Sequence, residues 1–196
     1  SENEINQINS EIEKITNKDF SFDSELDIAK QNLLILVHTG MRGGDFLKNM
    51  DLSKINNGFI NLKTSKTGQS VVIPLHKTVK KILNINFGNL PPKMTLFDFN
   101  KSIKEICRIC DINDLVDGKK FDSSKKRKVR SVYKKWELIS SHSCRRGFAT
   151  MYKGKISDEA ICSILGWSNS EMLKLYNQTT KIEYANELNN LWSKTN

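Results

Sequence analysis

The segment SHSCRRGFATMYKGKISDEAICSILGWSNSEMLKLY, residues 141–176, holds the densest group of chemically active side chains in this 196-residue chain. It begins with His142 and Arg145, which are three residues apart and therefore share one face of a helix. Ser141, directly before them, is a residue type that caps helix N-termini. A guanidinium presents a planar fork of donors, and an imidazole can donate or move a proton. The pair therefore suits a tetrahedral anion, such as a phosphodiester.

Farther along the same segment, the tripeptide Leu-Gly-Trp at residues 165–167 precedes Tyr176 by nine residues, counted from Trp167. The pattern from Asp158 to Leu165 predicts a short helix, which the glycine would end. Taken alone, Trp167 would be an ordinary core residue. The other three tyrosines, which lack this spacing, are Tyr133, Tyr152 and Tyr184.

Two segments upstream of residues 141–176 also carry a cationic side chain close to glycine. Residues 39–45 read Thr-Gly-Met-Arg-Gly-Gly-Asp, so that Arg42 lies three residues before Asp45. Gly40 can adopt the left-handed conformation that ends a helix, and the preceding helix is predicted to be capped by Ser24. Residues 64–68, the lysine turn, carry Lys66 between two predicted strands, residues 59–63 and 69–75. In isolation, Arg42 would be a surface partner of Asp45, and the lysine would simply be solvated.

In this order, these segments resemble the tyrosine recombinases, also called the phage-integrase family. The family carries His-x-x-Arg, then Leu-Gly-(His or Trp), then a tyrosine nine residues on, after an upstream Thr-Gly-x-Arg and a lysine in a β-turn. The resemblance covers residues 26–176. It implies a mainly α-helical domain with a small antiparallel β-sheet (an α+β fold), the DNA breaking-rejoining catalytic fold. The short sequences Ser-Lys-Thr-Gly and Ile-Ser-Ser-His are similar to those of integrases of mobile elements in Bacteroidetes.

The resemblance also implies a role for each matched residue. Tyr176 would attack the scissile DNA phosphate and form a 3′-phosphotyrosyl intermediate. Lys66 would protonate the leaving 5′ oxygen, with Lys63, three residues away, as the alternative. Asp45 would orient a catalytic guanidinium, and the imidazole can also help to accept the tyrosine proton. Neither metal nor ATP is expected to be needed, because the phosphotyrosyl link conserves the bond energy. The groups expected to hold the phosphate are Arg42, His142, Arg145 and Trp167.

Charge supports a polyanionic partner. The formal net charge is +9. Residues 1–30 hold eight acids against three lysines, a balance of −5, so the remainder carries +14. Residues 119–135 hold nine Lys or Arg residues against one Asp, in a pattern that predicts a partial β-ribbon. The charge alone would equally suit RNA, an acidic protein or solubility. The resemblance implies double-stranded DNA as the partner, and the candidate backbone contacts are Lys63, Lys125, Lys126, Arg127, Lys128, Arg130 and Arg146.

The four cysteines are interpreted as buried, reduced thiols. Cys107 and Cys110 have the spacing of a metal or redox pair, but a second pair of ligands with metal-site spacing is missing from the sequence. No apolar run approaches the ~20 residues of a membrane span. A cytoplasmic location, in a bacterium or from a phage gene, is expected.

The domain organisation expected from the sequence has three parts. Residues 1–23 would be a linker or flanking helix, residues 24–180 the catalytic domain, and residues 181–196 a C-terminal helix. That last helix could pack on its own domain or be exchanged between protomers. Relatives usually clamp DNA with an additional N-terminal core-binding domain, which residues 1–30 are too short to supply. The isolated chain is therefore expected to be monomeric and to bind weakly, and to form a tetramer on DNA.

Three alternatives remain open at this stage. A type IB topoisomerase shares the chemistry but relaxes supercoils without exchanging strands between partners. A DNA-binding module without catalysis, or a basic RNA-binding or scaffold domain, would form no covalent link to DNA. A covalent-adduct assay separates these alternatives, because a binding module forms no adduct and a topoisomerase forms one without a specific site.

Overall fold

The computed structural model describes residues 2–167, so Tyr176 and the predicted C-terminal helix lie outside the described residues. The helices are α1 (Glu2–Asn17), α2 (Ser24–Thr39), α3 (Gly43–Asn49), α4 (Lys77–Ile85), α5 (Leu96–Ile109), α6 (Lys135–Leu138), α7 (Ser141–Tyr152) and α8 (Asp158–Leu165). The strands are β1 (Ile55–Asn56), β2 (Phe59–Lys63), β3 (Ser70–Pro74), β4 (Leu115–Asp122) and β5 (Arg127–Lys134). The predicted α+β class is confirmed.

The helix α2 is at the centre of the described fold and packs against α1, α4, α5 and α7. Its middle is nearly continuously apolar, and Leu33, Ile35 and Leu36 are all buried. A helix that is apolar on several faces must be surrounded by other elements. The amphipathic α1 covers part of α2 and buries Ile15. Within residues 2–167, no helix is long and apolar enough to cross a membrane.

The predicted small antiparallel sheet forms from β1, β2 and β3, in that order. Ile60 pairs with Ile73 and Leu62 with Val71, and these four side chains form the buried face of β2 and β3. The strands β1 and β2 meet at residues 57–58, where the dipeptide Asn-Gly predicts a tight hairpin turn because both residues tolerate a positive φ, and both have one here. The lysine turn lies between β2 and β3, so it projects from the end of a sheet whose inner face is anchored in the core.

The basic segment forms a two-stranded ribbon, β4 and β5, that is longer than the sequence indicated. It starts at Leu115, four residues before the predicted basic run, because Val116 continues the pairing opposite Tyr133. The basic run marked the turn, β5 and the second half of β4, whereas strand pairing extends to residues 115–118, which carry no basic side chain. The close approach of Gly118 to Leu138 places one face of this basic ribbon against α6.

Two predicted helix caps are each displaced by one residue. Asp23, and not Ser24, caps α2, because its carboxylate accepts from the backbone N–H groups of both Glu25 and Leu26. A charged acceptor at a helix N-terminus also interacts favourably with the helix dipole. Ser140, and not Ser141, is the N-cap of α7.

Two other predictions about single residue types are confirmed. Gly40 ends α2 in the left-handed conformation, with φ 65°. All four cysteines are buried and form no disulfide. Burial raises the pKa of Cys107 and of Cys144 to about 12, so both thiols stay protonated at neutral pH.

Candidate active site

Arg145 joins three segments that are far apart in the sequence. Its side chain is 3% exposed. The Nη1 atom donates to the carbonyl of Gly40 at 3.0 Å, and Nη2 donates to the carbonyl of Leu165. The guanidinium carbon lies 5.2 Å from the centre of the Trp167 ring. Burying a charged group costs free energy unless its hydrogen-bond donors find partners. Here the two carbonyls and the face of the Trp167 ring replace the water that the guanidinium loses. The plane of the guanidinium is therefore held by the protein.

Glycines make this close approach possible. A Cβ atom on Gly40 would lie 2.6 Å from the Leu165 side chain and 2.8 Å from the Phe148 ring. On Gly166, it would lie 2.9 Å from Val71 and 3.0 Å from Thr64. The end of α8 therefore packs directly on the base of the lysine turn. Both glycines also have a positive φ, which disfavours any other residue.

Arg42 lies directly before α3, and its Nη1 atom is 4.0 Å from Oδ2 of Asp45. The sequence predicted this pairing, but the separation is too long for a hydrogen bond. Both atoms are buried and have no hydrogen-bond partner within residues 2–167. A buried donor without an acceptor is costly, so the arrangement favours a ligand that brings one. The other carboxylate oxygen of Asp45 accepts from the N–H of Ser65 at 3.0 Å.

The start of α3 abuts the start of α7 through Gly43. A Cβ atom on Gly43 would lie 2.6 Å from the Ser141 Cβ and 3.2 Å from Leu96. The N–H of Ser141 donates to Oδ1 of Asn100 on α5 at 2.7 Å. Two helices, α3 and α5, thus fix the first turn of α7. Sequence reasoning missed Gly43 and Asn100, because only the folded chain shows what lies against them.

For the DNA cleavage that the resemblance implies, we expect Gly43→Ala to slow the reaction by about 100-fold, because a displacement of ~1 Å in a catalytic constellation has an effect of that order. Gly44→Ala is the matched control: nothing lies within 4 Å of a Cβ at that position. Alanine should even favour α3 there by about 0.5–1 kcal/mol. Single-turnover cleavage rates and urea unfolding of both variants check this. Equal cleavage rates for the two variants would show that cleavage does not depend on the close approach of Gly43 to Ser141.

Three of the predicted catalytic cations lie close enough to His142 to act on the pKa of its imidazole. Burial of part of the imidazole is the main cause that lowers its pKa below the usual 6.5, and four neighbouring cations lower it further. At neutral pH the ring is therefore mostly uncharged, and it can accept a proton. The cations, in order of decreasing effect, are Arg146, Arg145, Arg42 and Lys66.

The placement of the two candidate lysines favours Lys66. It lies in the lysine turn and is close enough to His142 to affect the pKa of the imidazole. Lys63 lies on the exposed face of β2, opposite Ser70, whereas Leu62 and Val71 point to the other, buried face. Since Gly166 packs against Val71, the Leu-Gly-Trp segment is on that buried side. Lys63 is therefore directed away from it.

The outer face of the basic ribbon carries alternate residues of both strands, and all of them are exposed. Three exposed apolar side chains lie among its charges: Leu115, Phe121 and Val132. Arg130 on this face donates to the carboxylate of Asp117, with Nε 2.9 Å from Oδ2. The basic residues of the outer face are Lys119, Lys128, Arg130 and Lys134. Lys125 and Lys126 lie between the strands, and Arg127 lies on the other face.

A sequence model described as the phage integrase family matches residues 1–183 of the 196. The chain belongs to the phage integrase family. The resemblance inferred from the sequence motifs is thereby confirmed. No curated protein sequence matches the chain significantly.

Solved structures of integrases and recombinases share the fold. One is the XerH site-specific recombinase bound to its difH substrate, with a TM-score of 0.65 and 16% identity over 94% of this chain. Another is a lambda integrase dimer bound to a COC′ core site (TM-score 0.60, 18% identity, 87% of this chain). A third is the Tn1549 transposon integrase in complex with circular intermediate DNA, with a TM-score of 0.62 and 15% identity over 94% of this chain. This chain spans 52%, 46% and 65% of those chains, so it corresponds to part of each.

Proposed function

We propose that the chain is the catalytic part of a tyrosine-type, site-specific DNA recombinase. The observation that carries this proposal is the convergence of Arg42, Lys66, Arg145 and His142, which come from three distant segments of the sequence. Three cations near a predominantly neutral imidazole suit a phosphate that gains charge in the transition state. The similar structures, which are of recombinases and integrases bound to DNA, support the same activity.

In the proposed reaction, the Tyr176 oxygen forms a bond to phosphorus while the bond from phosphorus to the 5′ oxygen breaks. A phenol has a pKa near ~10, so its proton must leave as it attacks, and the neutral His142 can accept it. Lys66 gives a proton to the departing 5′ oxygen. Arg42, Arg145 and the Trp167 ring N–H would stabilise the non-bridging oxygens. Attack of a 5′ hydroxyl on the phosphotyrosine reverses the steps and rejoins the strand without ATP.

We further propose that the basic ribbon and Arg146 contact the phosphate backbone of duplex DNA. Lysine and arginine contacts of this kind position a protein without reading sequence, and they weaken steeply as salt rises. Residues 24–180 would form the catalytic domain, with residues 181–196 available for assembly into a tetramer on DNA. A cytoplasmic location fits an enzyme that acts on DNA.

The test is covalent capture on DNA. Micromolar protein is incubated, without metal or ATP, with a library of nicked suicide duplexes whose sequence around the nick is randomised, and denaturing gels separate the adducts. We expect a protein–DNA band, the linkage to map to Tyr176 by mass spectrometry, and sequencing of captured DNA to give a preferred site. Bound DNA without any adduct would contradict the proposal and favour a binding module. Adducts without sequence preference, together with relaxation of supercoils, would favour a topoisomerase.

The pH dependence of capture tests the role of His142. A folded-state pKa below 6.5 means that the proton-accepting form predominates at pH 7 and is lost only as the pH falls through that lower value. We therefore expect the second-order rate constant at limiting DNA, which reports the free protein, to fall with a midpoint below pH 6.5. The His142→Gln variant should have a lower rate constant, and that rate constant should not show this fall at acidic pH. A midpoint above 6.5 would contradict the role as a neutral acceptor.

A further inference from the structure

The lysine turn is closed by its own hydrogen bonds. The backbone N–H of Thr64 donates to the carbonyl of Gln69 at 2.8 Å, and the N–H of Gly68 donates to the carbonyl of Thr64 at 2.9 Å. The hydroxyls of Thr64 and Thr67 are 2.7 Å apart and share a hydrogen bond. These bonds fix the shape of the turn, but they do not determine how it is oriented relative to the rest of the site.

A second set of bonds attaches the turn to α3. The side-chain amide of Asn49 donates to the hydroxyl of Ser65 at 2.7 Å. The carboxylate of Asp45 accepts from the backbone N–H of the same serine at 3.0 Å. Asp45 and Asn49 are four residues apart and therefore share one face of α3. Ser65 is thus held at two points by one helix.

That helix begins directly after Arg42, and Asp45 lies beside the arginine. Lys66 comes immediately after the braced serine and immediately before Thr67, which is bonded within the turn. The backbone of the lysine is therefore held on both sides. Because a lysine side chain is long and flexible, a fixed backbone sets the volume that its ammonium can reach.

We propose that Asn49 and Ser65 are positioning residues for the general acid: their hydrogen bond holds the lysine turn so that Lys66 can reach the leaving 5′ oxygen. This inference rests on the proposed function. Neither residue is expected to touch the DNA phosphate. Their effect is on the transfer of a proton to the leaving group, and the groups that would activate the tyrosine and hold the non-bridging oxygens keep their own contacts.

The test compares two leaving groups on the duplex captured from the library. One substrate has the normal 5′ oxygen at the scissile phosphate, and the other has sulfur in that bridging position. A thiol has a pKa of ~8.5, so a thiolate departs without a proton donor, whereas an alkoxide needs one. We expect Asn49→Ala and Ser65→Ala to slow single-turnover cleavage of the oxygen substrate by about 10- to 100-fold. On the sulfur substrate, both should match the wild type within about twofold.

Three control variants complete the experiment. Lys66→Ala should show the same pattern with a larger loss on oxygen, because it removes the acid itself. The double variant of Asn49 and Ser65 should be no slower than the slower single variant, since both substitutions remove one shared bond. Asn61→Ala, on the exposed face of β2 in the same hairpin, should cleave both substrates at the wild-type rate.

The outcomes that overturn the inference are distinct from failure of the proposed function. Variants that are slow on both substrates would show a general structural role, and variants at the wild-type rate on oxygen would show that the brace is dispensable. If the wild type captured neither substrate, the proposed function itself would be wrong, and the inference would fall with it.

Discussion

Tyr176→Phe is expected to abolish the covalent protein–DNA adduct completely while DNA affinity stays within about twofold of the wild type. The substitution removes only the oxygen that would bond to phosphorus, and no other phenol has the same spacing from Leu-Gly-Trp. The measurement is adduct formation on the captured suicide duplex, combined with equilibrium binding of the same DNA.

The other tyrosines provide matched controls. The Tyr133 hydroxyl donates to the carbonyl of Val129 at 3.0 Å, and the Tyr152 ring packs on Phe148 with centroids 4.6 Å apart. Both have structural contacts, so Tyr133→Phe and Tyr152→Phe should keep the adduct. An adduct that persists in Tyr176→Phe, or disappears in one of these controls, would reassign the nucleophile.

Arg145→Ala should lower the single-turnover rate of cleavage at saturating DNA by at least about 100- to 1,000-fold, the range measured when one preorganised donor to an oxyanion is removed. It should also destabilise the fold, by about 1–3 kcal/mol for each buried carbonyl that loses its donor. Those carbonyls belong to Gly40 and Leu165. Arg145→Lys keeps the charge but lacks the planar fork that spans both carbonyls, so it should recover little activity.

Arg146→Ala is the control for charge alone. Arg146 is adjacent and exposed, and removing it should weaken DNA binding and reduce its salt dependence without a comparable loss of cleavage at saturating DNA. Urea unfolding identifies how much of each variant is folded. A folded Arg145→Ala protein that cleaves within tenfold of the wild type would contradict the assignment of Arg145 to the phosphate site.

Much of the local structure could be predicted because it depends on residues that are close in sequence. The helix over Asp158–Leu165, the turn at residues 57–58 and the helix end at Gly40 all have the predicted positions. Each follows from periodicity or from a glycine conformation, which neighbouring residues determine. The two helix caps were displaced by one residue because several adjacent side chains could serve as the cap.

The sequence by itself determined the family, the class of fold and the candidate groups, since spacing within each motif reports directly on which side chains share a turn or a helix face. It offered Lys66, with Lys63 as the alternative, and left open what holds each group. Only the tertiary structure showed that Lys63 lies on the exposed face of β2, that a Cβ on Gly43 would meet Ser141, and that Asn49 reaches Ser65. Arg145 and the carbonyl of Gly40 are 105 residues apart in the chain, yet 3.0 Å apart in space. Such contacts depend on how whole helices pack, and local sequence patterns carry no information on that packing.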